Sequence, residues 1–159
     1  MTGIVLAGGL SSRMGRDKAA LPWRGADLLN TILTKLSTVC DELIVVANQT
    51  CRIERRNVIL VADIIPQCGP LSGIHAGLVY AASPQAFITA CDMPHLAPQA
   101  VLYLYAQMAD LDVVVPGSGD DIEPLFACYA KTCIPVIETL LAENSRKTQE
   151  LFNLSLIHI

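Results

Sequence analysis

The sequence is poor in charged residues, and this shortage excludes several classes of protein. Only 16% of its 159 residues are charged and 52% are hydrophobic, a composition too apolar for a disordered chain. The formal net charge of -4 is mildly acidic. A general nucleic-acid binder would carry a basic stripe, and a polybasic membrane anchor would carry clustered lysines and arginines. Neither nucleic acid nor a membrane is therefore an expected partner.

Long apolar runs and metal-binding cysteine motifs are also missing from the sequence. No stretch approaches the roughly 18 apolar residues of a membrane span, and the first apolar run, Gly3 to Leu6, has no basic leader. The six cysteines form no Cys-x-x-Cys pair and no zinc-finger spacing with histidine. Cys91 and Cys128 lie in apolar runs, where a free cysteine acts as a small hydrophobic residue. These absences favour a cytoplasmic protein without disulfides.

Short apolar runs alternate with amphipathic segments along the chain. The pattern predicts strands at 3–6, 43–47, 58–61, 86–90, 112–116 and 125–129, and helices at 27–39, 70–82, 98–108 and 132–141. This alternation predicts one Rossmann-like α/β domain of three layers, with a mostly parallel central sheet. Ligands of such folds bind beyond the carboxyl ends of the strands, so the loops after the first and fourth strands are the expected site.

The loop after the first strand carries glycines and cations suited to a phosphate ligand. Gly8 and Gly9 follow the strand directly, and the missing Cβ atoms let backbone N–H groups approach a phosphate or a base. Arg13 can donate two parallel hydrogen bonds to phosphate oxygens, and Lys18 supplies a flexible point charge. The loop is neither a P-loop nor a dinucleotide fingerprint, because the Gly-Lys-Ser/Thr sequence and the glycine spacing are absent.

From Leu6 to Lys18 the sequence reads Leu-Ala-Gly-Gly-Leu-Ser-Ser-Arg-Met-Gly-Arg-Asp-Lys. It resembles, nearly residue for residue, the Leu-x-Gly-Gly-x-Ser-x-Arg-Met-Gly-x-x-Lys signature of nucleotidyltransferases. The resemblance is greatest to the molybdenum cofactor guanylyltransferase family. It implies that the nucleotide pocket is lined by Leu6, Ala7, Gly8 and Gly9. It also implies that Arg13 and Lys18 contact the triphosphate and act in catalysis.

Asp92 is the strongest candidate for a metal ligand in the sequence. It follows an apolar strand in Ala-Cys-Asp-Met-Pro, and Mg²⁺ prefers one or two carboxylates together with phosphate oxygens and water. The alternative is a helix cap, but the next helix begins too far downstream, near Pro98. The segment also resembles the family motif whose aspartate binds magnesium, which implies a catalytic role for Asp92.

Two further polar residues end predicted strands. Asp63 precedes a Gly-Pro-Leu-x-Gly-Ile segment that begins at Gly69 and resembles a second family motif, which implies contact between Asp63 and the nucleotide. Asn48 resembles a family position near guanine, although an asparagine at a strand end is also common turn chemistry. Glu123 begins a Glu-Pro-Leu segment that resembles the acceptor side of the family site.

The resemblance implies Mg²⁺-dependent transfer of GMP from GTP to the molybdenum-molybdopterin cofactor. Molybdoenzyme-maturation proteins are expected as further partners. One alternative is a cytidylyltransferase or sugar-nucleotide transferase of the same fold. Another is a non-catalytic GTP-binding adaptor that delivers the cofactor to a partner enzyme.

The last residues depart from the family pattern. The resemblance implies a nucleotidyltransferase domain over residues 1–152 and an atypical tail over residues 153–159. That tail has no helical or strand pattern, and it lacks a late asparagine-rich segment of the family. A genuine shortening and a truncated or frameshifted chain end would both explain it.

Overall fold

The fold was obtained as a computed structural model that describes residues 1–7, 21–23, 25–48, 51, 53–66, 68–118, 121–145, 147–152 and 157–158. The helices are α1 (Leu28–Leu36), α2 (Pro70–Tyr80), α3 (Pro98–Ala106), α4 (Cys133–Ala142) and α5 (Thr148–Phe152). The strands of the main sheet are β1 (Thr2–Leu6), β4 (Glu42–Val46), β5 (Val58–Val61), β6 (Gln85–Ala90), β7 (Val113–Val114), β10 (Phe126–Ala130) and β11 (Ile157–His158). Two small hairpins complete the strands, namely β2 (Pro22–Trp23) with β3 (Ala26–Asp27), and β8 (Gly117–Ser118) with β9 (Asp121–Ile122).

Strand order in the main sheet is β11-β7-β10-β6-β1-β4-β5. Strand β10 is antiparallel to both of its neighbours, and the other pairs are parallel, so the predicted mostly parallel sheet is confirmed. The chain moves outward from β1 through β4 to β5 and then returns to β6 on the other side of β1. This reversal makes the carboxyl end of β1 the switch point at which ligands bind in such sheets.

Both faces of the sheet are covered by helices, which confirms the three-layer arrangement. Alternate side chains of β1 point to opposite faces. Ile4 and Leu6 belong to the core cluster formed with α2, α4 and α5. Val5 belongs to the second cluster, formed with α1 and α3. All three side chains are at most 8% exposed.

Helix α1 begins as predicted and ends earlier than predicted. The Asp27 carboxylate accepts a hydrogen bond of 2.7 Å from the backbone N–H of Asn30, which is the expected N-cap. Beyond Leu36 the backbone tightens, because Thr38 donates to Lys35 rather than to a residue four positions earlier. Residues 37–39 therefore form a turn instead of the last helical turn.

Glycines explain how α2 packs against the central strand. Gly69 precedes the helix with a φ of 70°, a conformation that favours glycine, and Pro70 occupies the first turn. A Cβ atom on Gly77 would lie 2.6 Å from Cγ2 of Ile4, and one on Gly73 would lie 3.1 Å from Cδ2 of Leu6. Gly73 and Gly77 thus let α2 lie directly beneath β1.

The C-terminal part differs from the sequence prediction. Residues 157–158 were expected to lack strand character, yet they form β11 and pair in parallel with β7. A sheet edge offers unpaired backbone groups to any nearby chain, so this pairing needs no alternating sequence pattern. Helix α5 and the β8–β9 hairpin were also not predicted, because both are too short for a periodic signal.

Two expectations about composition hold in the structure. Cys91 and Cys128 are buried in the core, as their apolar surroundings in the sequence predicted. Among the described helices, none has the length and apolar character needed to cross a bilayer.

Candidate active site

The carboxyl ends of four parallel strands lie level with one another. Leu6 at the end of β1 is in register with Val46 of β4 and with Ala90 of β6, and Val46 is in register with Val61 of β5. The ladder continues one step further, because the Ala7 N–H donates to the Val46 carbonyl at 2.9 Å. Polar residues that follow these strands therefore share one edge of the sheet, here called the carboxyl edge.

Asn48 and Asp63 are joined at this edge by two hydrogen bonds. The Nδ2 of Asn48 donates to Oδ2 of Asp63 at 2.7 Å, and the Asp63 backbone N–H donates to Oδ1 of Asn48 at 3.0 Å. The pair fixes the orientation of both side chains, and the Asp63 carboxylate retains a second oxygen that can accept a hydrogen bond. Two residues singled out separately from the sequence therefore form one unit.

Asp92 lies at the same edge on the other side of β1. The Cys91 N–H donates to the Leu6 carbonyl at 3.1 Å, so the aspartate follows immediately after the strand ladder. Its side chain is exposed. The N-cap of α3 is Ala97, which makes no side-chain capping bond, so Asp92 is not the helix cap.

A cavity of about 450 Å³ opens beside Asp92. This volume lies within the range of small-molecule sites. Glu123, from the segment before β10, also lines it. The complete lining comprises Asp92, Met93, Pro94, His95, Leu96, Ala97, Ala100, Glu123 and Phe126. The cavity thus has mostly apolar walls with carboxylates from two separate segments.

Contacts that the sequence pattern did not indicate support both walls of this cavity. His95 packs edge to face against Trp23 of the β2–β3 hairpin, with ring centroids 5.3 Å apart. In the segment that carries Glu123, the Pro124 carbonyl accepts a 2.8 Å hydrogen bond from the Tyr129 hydroxyl. Only the strand character of Tyr129 was predicted, because the contact depends on how the residues just before β10 turn back toward the strand.

Burial holds three titratable side chains, Cys40, Cys128 and Tyr129, in their neutral forms. Burial raises the pKa of the Cys128 thiol to about 12, and burial also raises the pKa of Cys40 to about 12. Neither thiol is therefore a nucleophile at neutral pH. Burial likewise raises the pKa of Tyr129 above its ordinary value, so its hydroxyl remains a hydrogen-bond donor.

The two aspartates of the carboxyl edge are too far apart to share one cation. Strands β1 and β4 separate β6 from β5, and three steps of about 4.8 Å place Asp92 and Asp63 roughly 14 Å apart. Magnesium ligands lie at about 2.1 Å. Among the described residues, no group of three or more His, Cys, Asp or Glu side chains is arranged to hold a metal ion.

The donor set at Asp92 nevertheless suits one particular class of ion. An exposed carboxylate beside a cavity fits Mg²⁺, which commonly takes one or two carboxylates and completes its shell with phosphate oxygens and water. It does not fit a structural zinc site, which needs four protein ligands.

Four of the predicted site residues, Gly8, Gly9, Arg13 and Lys18, lie outside the described residues. Of the others, Leu6 and Ala7 end β1, Asn48 and Asp63 lie to one side of them, and Asp92 lies to the other. The chain therefore leaves the sheet at Ala7, between the two groups of polar residues.

This combination of fold and edge residues is that of a nucleotidyltransferase, and comparison with known proteins identifies the family. The pattern of the MobA-like NTP transferase domain matches residues 3–155. The chain belongs to the MobA-like NTP transferase family.

Individual relatives agree with this assignment. The "Molybdenum cofactor guanylyltransferase" of Desulfosudis oleivorans is 36% identical over 155 residues, which cover 96% of this chain and 77% of that protein. A Pelotomaculum thermopropionicum protein named "Probable molybdenum cofactor guanylyltransferase" is 38% identical over 153 residues, which cover 96% of this chain and 75% of that protein. The crystal structure of molybdopterin-guanine dinucleotide biosynthesis protein A from Archaeoglobus fulgidus superposes with a TM-score of 0.81 at 26% identity. The superposition covers 99% of this chain and 81% of the Archaeoglobus fulgidus chain.

Proposed function

We propose that the protein transfers GMP from GTP to the molybdenum-molybdopterin cofactor, yielding the guanine dinucleotide form and pyrophosphate. The observation that carries the proposal is the carboxyl edge, where Asn48 with Asp63 and, opposite them, Asp92 flank the end of β1. The names of the relatives support the choice of guanine and of the molybdenum cofactor.

GTP is assigned to the side of the edge formed by Ala7, Asn48 and Asp63, here called the nucleotide side. Leu6, Ala7, Gly8 and Gly9 would line its pocket. In this assignment Asn48 lies near the guanine, and the Asp63 carboxylate accepts hydrogen bonds from the nucleotide. Because their mutual bonds already fix these side chains, little ordering cost remains when the nucleotide binds.

The acceptor is assigned to the cavity lined by residues 92–97 and Glu123, here called the acceptor side. Its volume and apolar walls suit a flat heterocycle such as a pterin, and the Glu123 carboxylate can accept hydrogen bonds from ring N–H groups. The acceptor phosphate would then lie toward Asp92, between the cavity and the nucleotide.

The reaction is an in-line displacement at phosphorus. An oxygen of the acceptor phosphate forms a bond to the α-phosphorus of GTP, the bond to the bridging oxygen breaks, and pyrophosphate leaves with that electron pair. The acceptor oxygen is already ionised, so no side-chain nucleophile or general base is needed. Catalysis rests on positioning and on neutralising the charge that collects on the leaving group.

Asp92 would hold Mg²⁺, which supplies charge neutralisation at the phosphates when bound. Lys18 and Arg13 would donate hydrogen bonds to the triphosphate and stabilise the charge on the departing pyrophosphate. The walls around Asp92 would limit access of water to the reacting phosphorus.

Nucleotide choice tests the proposal against a cytidylyl or sugar-nucleotide transferase. A pocket that pairs with the N–H donors and O6 acceptor of guanine leaves its own groups unpaired when another base binds. We expect GTP to bind at least about tenfold more tightly than CTP or ATP in calorimetric titrations with Mg²⁺, a difference of about 1.4 kcal/mol. A preference for CTP would exclude guanylyl transfer.

The non-catalytic adaptor is tested by turnover. Purified protein with GTP, Mg²⁺ and molybdenum-molybdopterin should release pyrophosphate and yield the dinucleotide product, whereas an adaptor would bind GTP without releasing pyrophosphate.

A further inference from the structure

A lysine outside the predicted site contacts the segment that carries Asp92. Lys35 lies in the last turn of α1, and its Nζ donates to the Pro94 carbonyl at 2.6 Å and to the Leu96 carbonyl at 3.0 Å. The two acceptors lie 59 and 61 residues further along the chain. Lys35 therefore joins α1 to the connection between β6 and α3.

This connection is irregular and needs such support. Residues 92–97 contain no helix or strand, so the carbonyls of Pro94 and Leu96 have no place in a sheet ladder or a helix. The Leu96 side chain is 4% exposed and belongs to the same core cluster as α1. Charge-assisted hydrogen bonds from the Lys35 ammonium group to two carbonyls then hold the backbone of this segment against α1.

A helix-dipole interaction alone does not account for this arrangement. A cation in the last turn of a helix interacts favourably with the helix dipole, and an exposed lysine pointing into solvent would satisfy that effect. Lys35 is half-buried and directs its ammonium group at two carbonyls of another segment. Its contacts lie behind the cavity wall formed by residues 93–97, next to Asp92.

We propose that Lys35 is a positioning residue, which sets the location of the Asp92 carboxylate and of the acceptor-side wall. The inference rests on the proposed function of Asp92 as the magnesium ligand. Lys35 itself acts through the backbone of residues 94–96. Groups that orient a metal ligand without touching the metal affect affinity or activity about tenfold or more when removed.

The test compares Lys35→Met, which keeps an apolar stem but loses the donor, with Lys35→Arg, which retains a cation and several donors. Lys147→Met is the matched control, because Lys147 is an exposed lysine remote in sequence from the segment. Rates of GMP transfer are measured at saturating GTP over a range of Mg²⁺ concentrations. We expect Lys35→Met to raise the half-saturating Mg²⁺ concentration about tenfold, and Lys35→Arg to restore most of the difference.

A second measurement does not depend on activity. Trp23 is the single tryptophan and packs against His95 within the supported segment. Acrylamide quenching of Trp23 fluorescence should therefore increase in Lys35→Met and stay unchanged in Lys147→Met. If Lys35→Met lowers only the melting temperature, with parental quenching and Mg²⁺ dependence, the positioning role is wrong. If the parent protein transfers no GMP, the proposed function fails, and the quenching comparison still decides whether Lys35 holds the segment.

Discussion

The nucleotide side and the acceptor side of the carboxyl edge are organised in different ways. On the nucleotide side, the exposed Asn48 and the half-buried Asp63 orient each other directly. On the acceptor side, two residues hold the backbone of the lining segments. Lys35 bonds to the carbonyls of Pro94 and Leu96, and Tyr129 bonds to the carbonyl of Pro124. The proposed ligand-contacting groups of the nucleotide side thus orient each other. Those of the acceptor side are held in place by residues that are not proposed to touch a ligand.

The difference has consequences for mutation. On the nucleotide side, the effect of changing one residue should depend on its partner, because the two share their hydrogen bonds. On the acceptor side, buried residues that touch no ligand should influence acceptor binding through the segments they hold. Three sets of substitutions test these expectations, beginning with the one that has the largest expected effect.

Asp92→Asn should produce the largest loss, because it keeps the shape of the side chain and removes the charge proposed to hold Mg²⁺. We expect weak GTP binding to survive and transfer to fall roughly a thousandfold, as when a key electrostatic group is removed from an active site. Rapid-quench measurement of a single turnover checks this. Asp110→Asn, at an exposed acid in the turn after α3, is the control and should react at the parental rate. Parental turnover in Asp92→Asn would show that Asp92 is an ordinary loop residue.

The sequence was sufficient to predict the layers of the fold, and it placed the candidate site at one edge of the sheet. Continuous apolar runs such as that of β1 specify buried parallel strands, and the residue after each run is then placed at the carboxyl edge without further information. Asp92, Asp63 and Asn48 were identified in this way, together with resemblance to family motifs.

Contacts between distant segments were not predictable in the same way. Lys35 has the spacing of an ordinary helix residue, and nothing in its local sequence indicates Pro94 or Leu96 as partners. The Trp23–His95 contact and strand β11 are missed for the same reason, since each depends on where a remote segment packs. Periodicity in the local sequence indicates which face of a helix or strand is buried. It does not indicate which residues of other segments that face contacts.

An intermediate effect is expected from the pair on the nucleotide side. Asn48→Ala and Asp63→Ala should each weaken GTP binding. The loss of binding free energy in the double variant should be smaller than the sum of the losses in the two single variants. A coupling of about 1 kcal/mol, roughly fivefold in affinity, is typical of residues that share hydrogen bonds. Calorimetric titration of GTP into the parent, the two single variants and the double variant measures it. Glu123→Gln, on the acceptor side, should bind GTP as the parent does. Strictly additive effects would mean that the two residues do not orient each other.

The smallest effect is expected from Tyr129→Phe, which tests the buried support of the acceptor side. The substitution removes one oxygen from a fully buried side chain and leaves the Pro124 carbonyl without its 2.8 Å hydrogen bond. Loss of such a bond costs about 1 kcal/mol, or about 3 °C in melting temperature for a domain of this size. Tyr103→Phe is the matched control, because Tyr103 is 67% exposed.

The functional consequence of Tyr129→Phe should be confined to one side of the site. Since Pro124 adjoins Glu123, the KM for the acceptor should rise while the Kd for GTP stays at the parental value. The pH dependence gives a second check, because burial raises the pKa of Tyr129 above that of the unfolded chain. The stabilisation from Tyr129 is therefore fully present below about pH 10 and declines as the unfolded tyrosine ionises above it. Tyr129→Phe should lack that part of the alkaline loss of stability, whereas Tyr103→Phe should retain it. A change in GTP affinity with an unchanged acceptor KM would place Tyr129 on the nucleotide side and contradict the division of the edge.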